Sequence, residues 1–312
     1  MSLINHARKR PGAPHRSENN DRQLLNIGCG RHYDRQWVNL DLESNDPSVR
    51  IHDVTKGIPY DDDEFEVVYH SHVLEHLKPE LGEELIRECF RVLKPNGILR
   101  IVVPNLERIA QLYLETHDRA WHEEQDAQTN FDWMKLELLD QLVREHSGGR
   151  MGRYMANQEI KNSDFVRWRV GNEYEICRGL DAETPDAVKR QAWYTRLTKA
   201  THELRKKIAR QTILWLLGRD GQAALDEGLF RSRGEIHRWM YDRYSLRRLC
   251  LSQGFVEFRV CDATESSIED FGQFQLDTVG QLVRKPDSLF VECRKPSTAN
   301  ATELYLKNRG AA

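Results

Sequence analysis

Leu24-Leu25-Asn26-Ile27-Gly28-Cys29-Gly30, followed by Val38-Asn39-Leu40-Asp41, is the stretch on which the fold turns. An apolar run leads straight into a Gly-x-Gly turn, and a second strand ends on an acid 13 residues after Gly28. Glycines at such a turn let the backbone approach a ligand that any β-carbon would hold off. An acid at the end of the next strand can take the two hydroxyls of a ribose, as in nucleotide-binding α/β folds. A tight turn and a surface Asp would read the same over these residues alone, so the decision rests on the residues beyond Asp41.

Beyond Asp41 the chain alternates between two periodicities. The pattern predicts strands over 23–27, 37–41, 49–53, 66–70 and 97–103, with a helix over 79–93. In that helix Leu81, Leu85, Ile86, Cys89, Phe90 and Leu93 recur at helical spacing. Lys94-Pro95-Asn96-Gly97 then reads as its stop, with Pro and Gly just past the end. The continuous apolar run Ile98 to Val103, ended by Pro104, fits a strand buried on both faces. Strands alternating with helices imply a mainly parallel, doubly wound sheet.

From 106 to 235 the pattern is helical only. Ile109, Leu112 and Tyr113 share one face; Leu136, Leu139, Leu142 and Val143 share another. A long basic helix is expected around 186–217. A short helix is expected behind Ser245 as N-cap, with strands after it over 255–261 and 288–294. The organisation expected is a flexible leader (1–21), a core of 22–105 with 236–296, a helical insertion (106–235) lying over the acceptor, and a flexible tail (297–312).

The chain has 312 residues, 39% hydrophobic and 30% charged, which describes a soluble protein rather than a disordered one. A net charge of −3 gives no overall attraction to nucleic acid or anionic membrane. The six cysteines form no C-x-x-C pair and read as reduced core thiols. The leader lacks the apolar core of a signal peptide, and no run approaches a membrane span, so a cytoplasmic location is expected.

Several motifs fall in one order: Asn26 to Gly30, Asp41, Asp53-Val54, Ile58-Pro59-Tyr60, Glu64 to Tyr69, Ser71 to Leu77, and Arg91 to Gly97. Over about 22–104 the chain resembles the class I S-adenosylmethionine-dependent methyltransferases. It is most similar to a bacterial subgroup associated with surface polysaccharide synthesis, and 237–241 and 285–289 resemble that subgroup more weakly. The resemblance implies a Rossmann-like seven-stranded sheet with an antiparallel last strand, interrupted by the helical insertion. It also implies S-adenosyl-L-methionine as cofactor, held by Gly28, Cys29 and Gly30 at its methionine part, Asp41 and Leu42 at the ribose and Asp53 and Val54 at the adenine. His70 and Ser71 would lie near the methyl group. The family's third glycine is missing, because Arg31-His32-Tyr33 comes after Gly30, and the distance to Asp41 is too short for a crossover helix. The first helix is therefore expected to shrink to a turn.

His72, Glu75 and His76 form H-x-x-E-H, and on an α-helix they would share a face. The motif occurs in zinc peptidases, but that reading expects another fold. It also resembles the E-x-x-E-H of metal-dependent O-methyltransferases, with His72 in place of the first acid, which leaves a divalent metal on His72, Glu75 and His76 as the less favoured reading. The favoured one has Glu75 and His76 capping and orienting the helix. For the chemistry, a hydroxyl attacking a sulfonium methyl profits from a general base. His72 is the first candidate and His237 the second, the latter just ahead of Trp239, Tyr241 and Tyr244, on which a sugar could stack or which could be packing.

The basic run 189–210, leading into Ile213 to Leu217, suits an interfacial helix on anionic lipid. A solvated face with a buried apolar end is the preferred reading. The expected partner is a glycan or small-molecule acceptor, with no nucleic acid and a homo-oligomer left open. The function expected is O-methylation of a sugar hydroxyl of a glycan or glycoconjugate. The alternatives are methylation of a small aromatic or amine metabolite, and a non-catalytic cofactor-binding scaffold.

Overall fold

The computed structural model describes residues 23–179, 193–232 and 234–297, with side chains from 210 onward in the middle segment. The expected leader, nearly all of the expected tail, and the first residues of the expected basic helix lie outside the described residues. The chain forms two compact units, one of 1–107, 239–283 and 287–312, the other of 108–238 with 284–286.

The first unit is built on a seven-stranded sheet. Its strands are β1 (Leu24–Ile27), β2 (Val38–Asp41), β3 (Val49–Ile51), β4 (Phe65–Ser71), β5 (Leu93–Pro104), β6 (Val256–Cys261) and β7 (Ser288–Arg294). Their order across the sheet is β3-β2-β1-β4-β5-β7-β6. All neighbouring pairs up to β5 are parallel, whereas β7 runs antiparallel between β5 and β6. This is the sheet expected from the sequence, and helices do precede its last strands.

One face of the sheet carries α1 (Pro79–Val92) and α8 (Arg243–Ser252). Leu85, Ile86, Cys89 and Val92 of α1 and Leu246 and Cys250 of α8 bury there against Leu25, Ile27, Val68, Leu99 and Val291. Pro79 opens α1 at a position where a missing N–H costs nothing. The cap of α8 is Asp242 rather than Ser245; Ser245 sits at the third helical position and completes a capping box with Asp242. Lys94 to Gly97 is not a loop but the irregular start of β5, where Asn96 takes φ 65° and the register with β4 shifts.

Among the described residues no α-helix contributes to the hydrophobic cluster on the other face. Residues 28–37, all described, contain none, so the first crossover is a turn, as its length requires. Residues 262–283 fill that space: Phe271, Phe274 and Leu276 pack with Trp37 and Tyr69 from the sheet side. Trp37 meets Phe274 edge-to-face at 5.4 Å. Arg100, fully buried on β5, fixes the segment through Asp277 (2.8 Å) and the Ala263, Asp262 and Glu265 carbonyls, while Glu292 on β7 accepts from the same guanidinium at 2.7 Å. Its guanidinium also stacks 4.6 Å from the Phe271 ring. Burial works to raise the Glu292 carboxyl, but hydrogen bonds from Ser266 and the Ser267 N–H and the charges of Arg259 and Arg100 hold it down at about 2.

The second unit contains most of α2 (Leu106–Trp121), with α3 (Ala127–Val143), α4 (Gly149–Ala156), α5 (Ser163–Val170), α6 (Glu173–Cys177) and α7 (Trp193–Arg231). Ile109 and Leu112 are buried as their spacing suggests. The leucine face of α3 is not its buried one: Leu139 and Val143 are exposed, and Trp133, Met134, Glu137 and Asp140 are buried instead. Polar pairing decides this. Glu137 accepts from Trp133 Nε1 (2.9 Å) and forms a buried ion pair with Arg169 of α5 (2.5 Å), and Asp140 accepts from the Arg150 N–H at the start of α4 (2.8 Å). The basic helix begins at Trp193 in the described structure and runs to a break at Gly218, where the expected helix ends; a second arm of α7 continues to Arg231.

Candidate functional site

The carboxyl edge of the parallel strands gathers most of the residues singled out by sequence. β1 ends at Ile27, where the Gly28 and Cys29 N–H groups both donate to the Leu40 carbonyl at 2.8 and 3.1 Å, drawing the turn toward β2. Gly28 and Gly30 take φ of 66° and 59°, a region that favours glycine. A β-carbon on Gly28 would also collide with the Val73 side chain, whereas the same position on Gly30 meets nothing within 4 Å. The Gly30 N–H donates to Asp41 Oδ2 at 2.7 Å, and the Glu43 N–H to Oδ1 at 3.1 Å, so the acid at the end of β2 organises the turn and keeps further lone pairs available. Leu42 beside it is exposed. Cys29 is buried, and burial with the Asp41 charge pushes its thiol up to about 12, so it stays neutral. Asp53 caps a short 3-10 turn, accepting from the Thr55 N–H and hydroxyl, with Val54 half-buried behind it.

His70 is the exception. Its side chain is fully enclosed in the sheet, neither ring nitrogen has a hydrogen-bond partner among the described residues, and burial holds it neutral with a pKa near 3. The imidazole therefore does not face the edge, and the neighbouring half-buried Ser71 ends β4.

Past Ser71 the expected helix is absent. Val73 is the N-cap of a 3-10 turn over Leu74–His76, and α1 starts only at Pro79. His72 lies before the turn at φ 54°, an uncommon conformation for a side chain of its size, so the three residues of H-x-x-E-H do not share an α-helical face. His72 Nδ1 lies 3.0 Å from Glu75 Oε1, and its Nε2 lies 2.9 Å from Ser288 Oγ. Glu75 is fully buried; Ser288 opens β7 opposite Pro104 of β5. His76 is half-buried, with its N–H on the Val73 carbonyl. Nothing in the sequence signals Ser288, because 216 residues separate it from His72 and only the antiparallel β7 joins them.

Trp239 is half-exposed, and its N–H donates to the Glu75 carbonyl at 3.2 Å. Tyr241 is core rather than stacking surface: it is buried, bridges to Asn105, and burial with the Glu75 and Glu83 charges raises its phenol well above its usual range. Tyr244 is exposed. His237 lies buried in the helical unit, with its N–H on the Gln141 carbonyl at 2.9 Å.

The strand order, the antiparallel β7 and the turn at Gly28 are thus joined by one further finding: residues 25–101 match the family model of a methyltransferase domain. The chain is an S-adenosylmethionine-dependent methyltransferase. The donors present fit that cofactor: two glycines at positive φ, one of them open at its β-position, and an acid at the end of β2. No curated protein matches the methyltransferase. Among solved structures it is similar to a SAM-dependent methyltransferase from Archaeoglobus fulgidus, at 12% identity and TM-score 0.33, over 88% of this chain and 86% of that one. A second, from Thermotoga maritima and also described as SAM-dependent, shows 10% identity and TM-score 0.33 over 89% and 84%. A third, the 1,6-didemethyltoxoflavin-N1-methyltransferase of Burkholderia thailandensis, shows 20% identity and TM-score 0.24 over 27% and 46%. Among the described residues no helix is long and apolar enough to cross a membrane.

Proposed function

We propose that the methyltransferase O-methylates a sugar hydroxyl of a glycan or glycoconjugate, with His72 as the general base. The observation that carries this reading is His72 held between Glu75 and Ser288 at the strand edge, with Trp239 half-exposed beside Glu75. Gly28, Cys29 and Gly30 would hold the methionine part of the cofactor, Asp41 and Leu42 the ribose, and Asp53 and Val54 the adenine. When bound, S-adenosylmethionine supplies an electrophilic methyl group on a sulfonium.

The Glu75 carboxylate, its Oε1 3.0 Å from Nδ1, favours a proton on that nitrogen and leaves Nε2 as the basic one. Nε2 then accepts the proton of an acceptor hydroxyl, either directly or through Ser288 Oγ, which already occupies a hydroxyl's place 2.9 Å away. The contact between Gly28 and Val73, the neighbour of His72, links the cofactor turn to the base. The Trp239 ring offers a sugar an apolar face. Ser71 would line the space at the methyl group, whereas enclosed His70 would only support the strand end.

Calorimetric titration with S-adenosylmethionine and S-adenosylhomocysteine, repeated on Asp41→Ala, tests the cofactor half. Micromolar binding lost in the variant is expected, and an unaffected variant overturns the ribose assignment. Labelled methyl transfer to a panel of glycans, phenols and amines tests the acceptor half. Label on carbohydrate oxygen supports the reading; label only on amines or phenols replaces it with the small-metabolite alternative.

A further inference from the structure

The helix α7 is not one rod. Gly218 breaks it with φ 67° and ψ −160°. Arg210 and Asp226, placed symmetrically about the break, form an ion pair at 2.5 Å. On a continuous helix sixteen residues would separate them by roughly 24 Å. The chain therefore turns back on itself, and α7 is a helical hairpin with residues 215–218 at its apex. The second arm lies close to the first at Gly221, where a β-carbon would run into Leu217 of the turn and stand 3.3 Å from Ile213 Cγ2 of the first arm.

The apex is the reverse of what a solvated turn should carry. Trp215, Leu216 and Leu217 are 83%, 62% and 69% exposed, three consecutive large apolar side chains rather than a stripe along one face. Across 193–231 the hairpin sequence holds eight Lys or Arg against four Asp or Glu, a net charge of +4 in a chain whose total is −3. The whole excess lies in 196–207 on the first arm, because 210–231 carries three residues of each sign. A second copy of the chain is a poor occupant, because a stable dimer buries about 800 Å² per partner and three side chains on a convex apex supply less. A bilayer accepts such a wedge: Trp favours the headgroup level, Leu the acyl boundary just below, and cations the anionic surface.

We propose that the α7 hairpin docks the methyltransferase on anionic lipid surfaces, with Trp215, Leu216 and Leu217 entering the interface. The docking is interfacial, since no described helix is suited to cross a bilayer. It does not depend on which acceptor the enzyme methylates.

Sedimentation of the full chain with phosphatidylcholine vesicles, and with vesicles that also contain phosphatidylglycerol, tests this. The protein is expected to pellet with the anionic vesicles, to be released by high salt, and to stay in solution with phosphatidylcholine alone. The triple variant Trp215→Ser, Leu216→Ser, Leu217→Ser replaces exposed side chains and should keep its circular dichroism and S-adenosylhomocysteine binding while losing vesicle affinity about tenfold or more. No pelleting with anionic vesicles overturns the proposal, as does a triple variant that pellets like the wild type. Light scattering that shows an oligomer dispersed by the triple variant, without vesicle binding, assigns the apex to copies of the chain instead.

Discussion

Among single residues the proposed mechanism depends most on His72, which has a positive φ and a ring lying between an enclosed carboxylate and a hydroxyl. Replacing His72 with Ala should lower kcat about 10²- to 10⁴-fold while S-adenosylhomocysteine affinity stays unchanged, as measured by steady-state kinetics beside calorimetry. In the proposed mechanism Glu75 acts through His72 as a positioning residue. Glu75→Gln keeps a hydrogen-bond acceptor but removes the charge, so the pKa on the acid limb of the pH–rate profile should fall; an unmoved profile would leave Glu75 a purely structural role. His70 makes a separate prediction for stability. Its imidazole titrates near 6.5 when unfolded and near 3 when enclosed, so between those values the unfolded state takes up the proton. Stability is then complete above pH 6.5 and falls as the pH drops toward 3, by about 2 kcal/mol at pH 5. Urea midpoints at neutral pH and pH 5 should show a smaller acid loss for His70→Leu than for the wild type.

The element that distinguishes this sheet is the segment 262–283, which occupies the face left bare by the missing first crossover helix. Aromatic packing with Trp37 and the Arg100 ion pairs hold it. Taking Asp277 away leaves a buried guanidinium with one partner fewer, so Asp277→Asn should cost about 3–5 kcal/mol in chemical denaturation. A loss below about 1 kcal/mol would mean that the aromatic cluster alone carries the segment. The periodic elements around it were legible: α1 buries Leu85, Ile86 and Cys89 as its spacing suggests, with Leu81 and Phe90 half-buried, and β1, β2 and β4 fall within two residues of where the pattern puts them. The α3 leucines were misleading because apolar spacing says nothing of buried ion pairs, and Glu137 with Arg169 turned the helix another way. The H-x-x-E-H motif was misleading for a related reason: i, i+3, i+4 spacing implies an α-helix only where the backbone is helical, and His72 is not.

For the molecule as a whole, cofactor binding should stabilise the unit that holds the seven-stranded sheet. At a hundredfold excess over its dissociation constant, S-adenosylhomocysteine adds about 2.7 kcal/mol, a rise of roughly 5–10 °C in the melting temperature of that unit. Hydrogen exchange should locate the added protection in 26–43 and 53–54, and protection confined to the helical unit would contradict the placement of the cofactor. The family resemblance supplied the seven-stranded sheet with its antiparallel last strand and the methyltransferase class, and local pattern was enough for the alternation of strands and helices and the glycine turn with Asp41. These depend on contacts near in sequence, where periodicity, glycine placement and strand length act directly. Only the folded chain settled that Ser288 reaches His72, that His70 turns inward, that 262–283 replaces a helix, and that Gly218 folds α7 into a hairpin with an apolar apex. Each of these joins residues far apart in sequence or sets a side chain's direction, and such outcomes come from packing and buried charge rather than from local pattern.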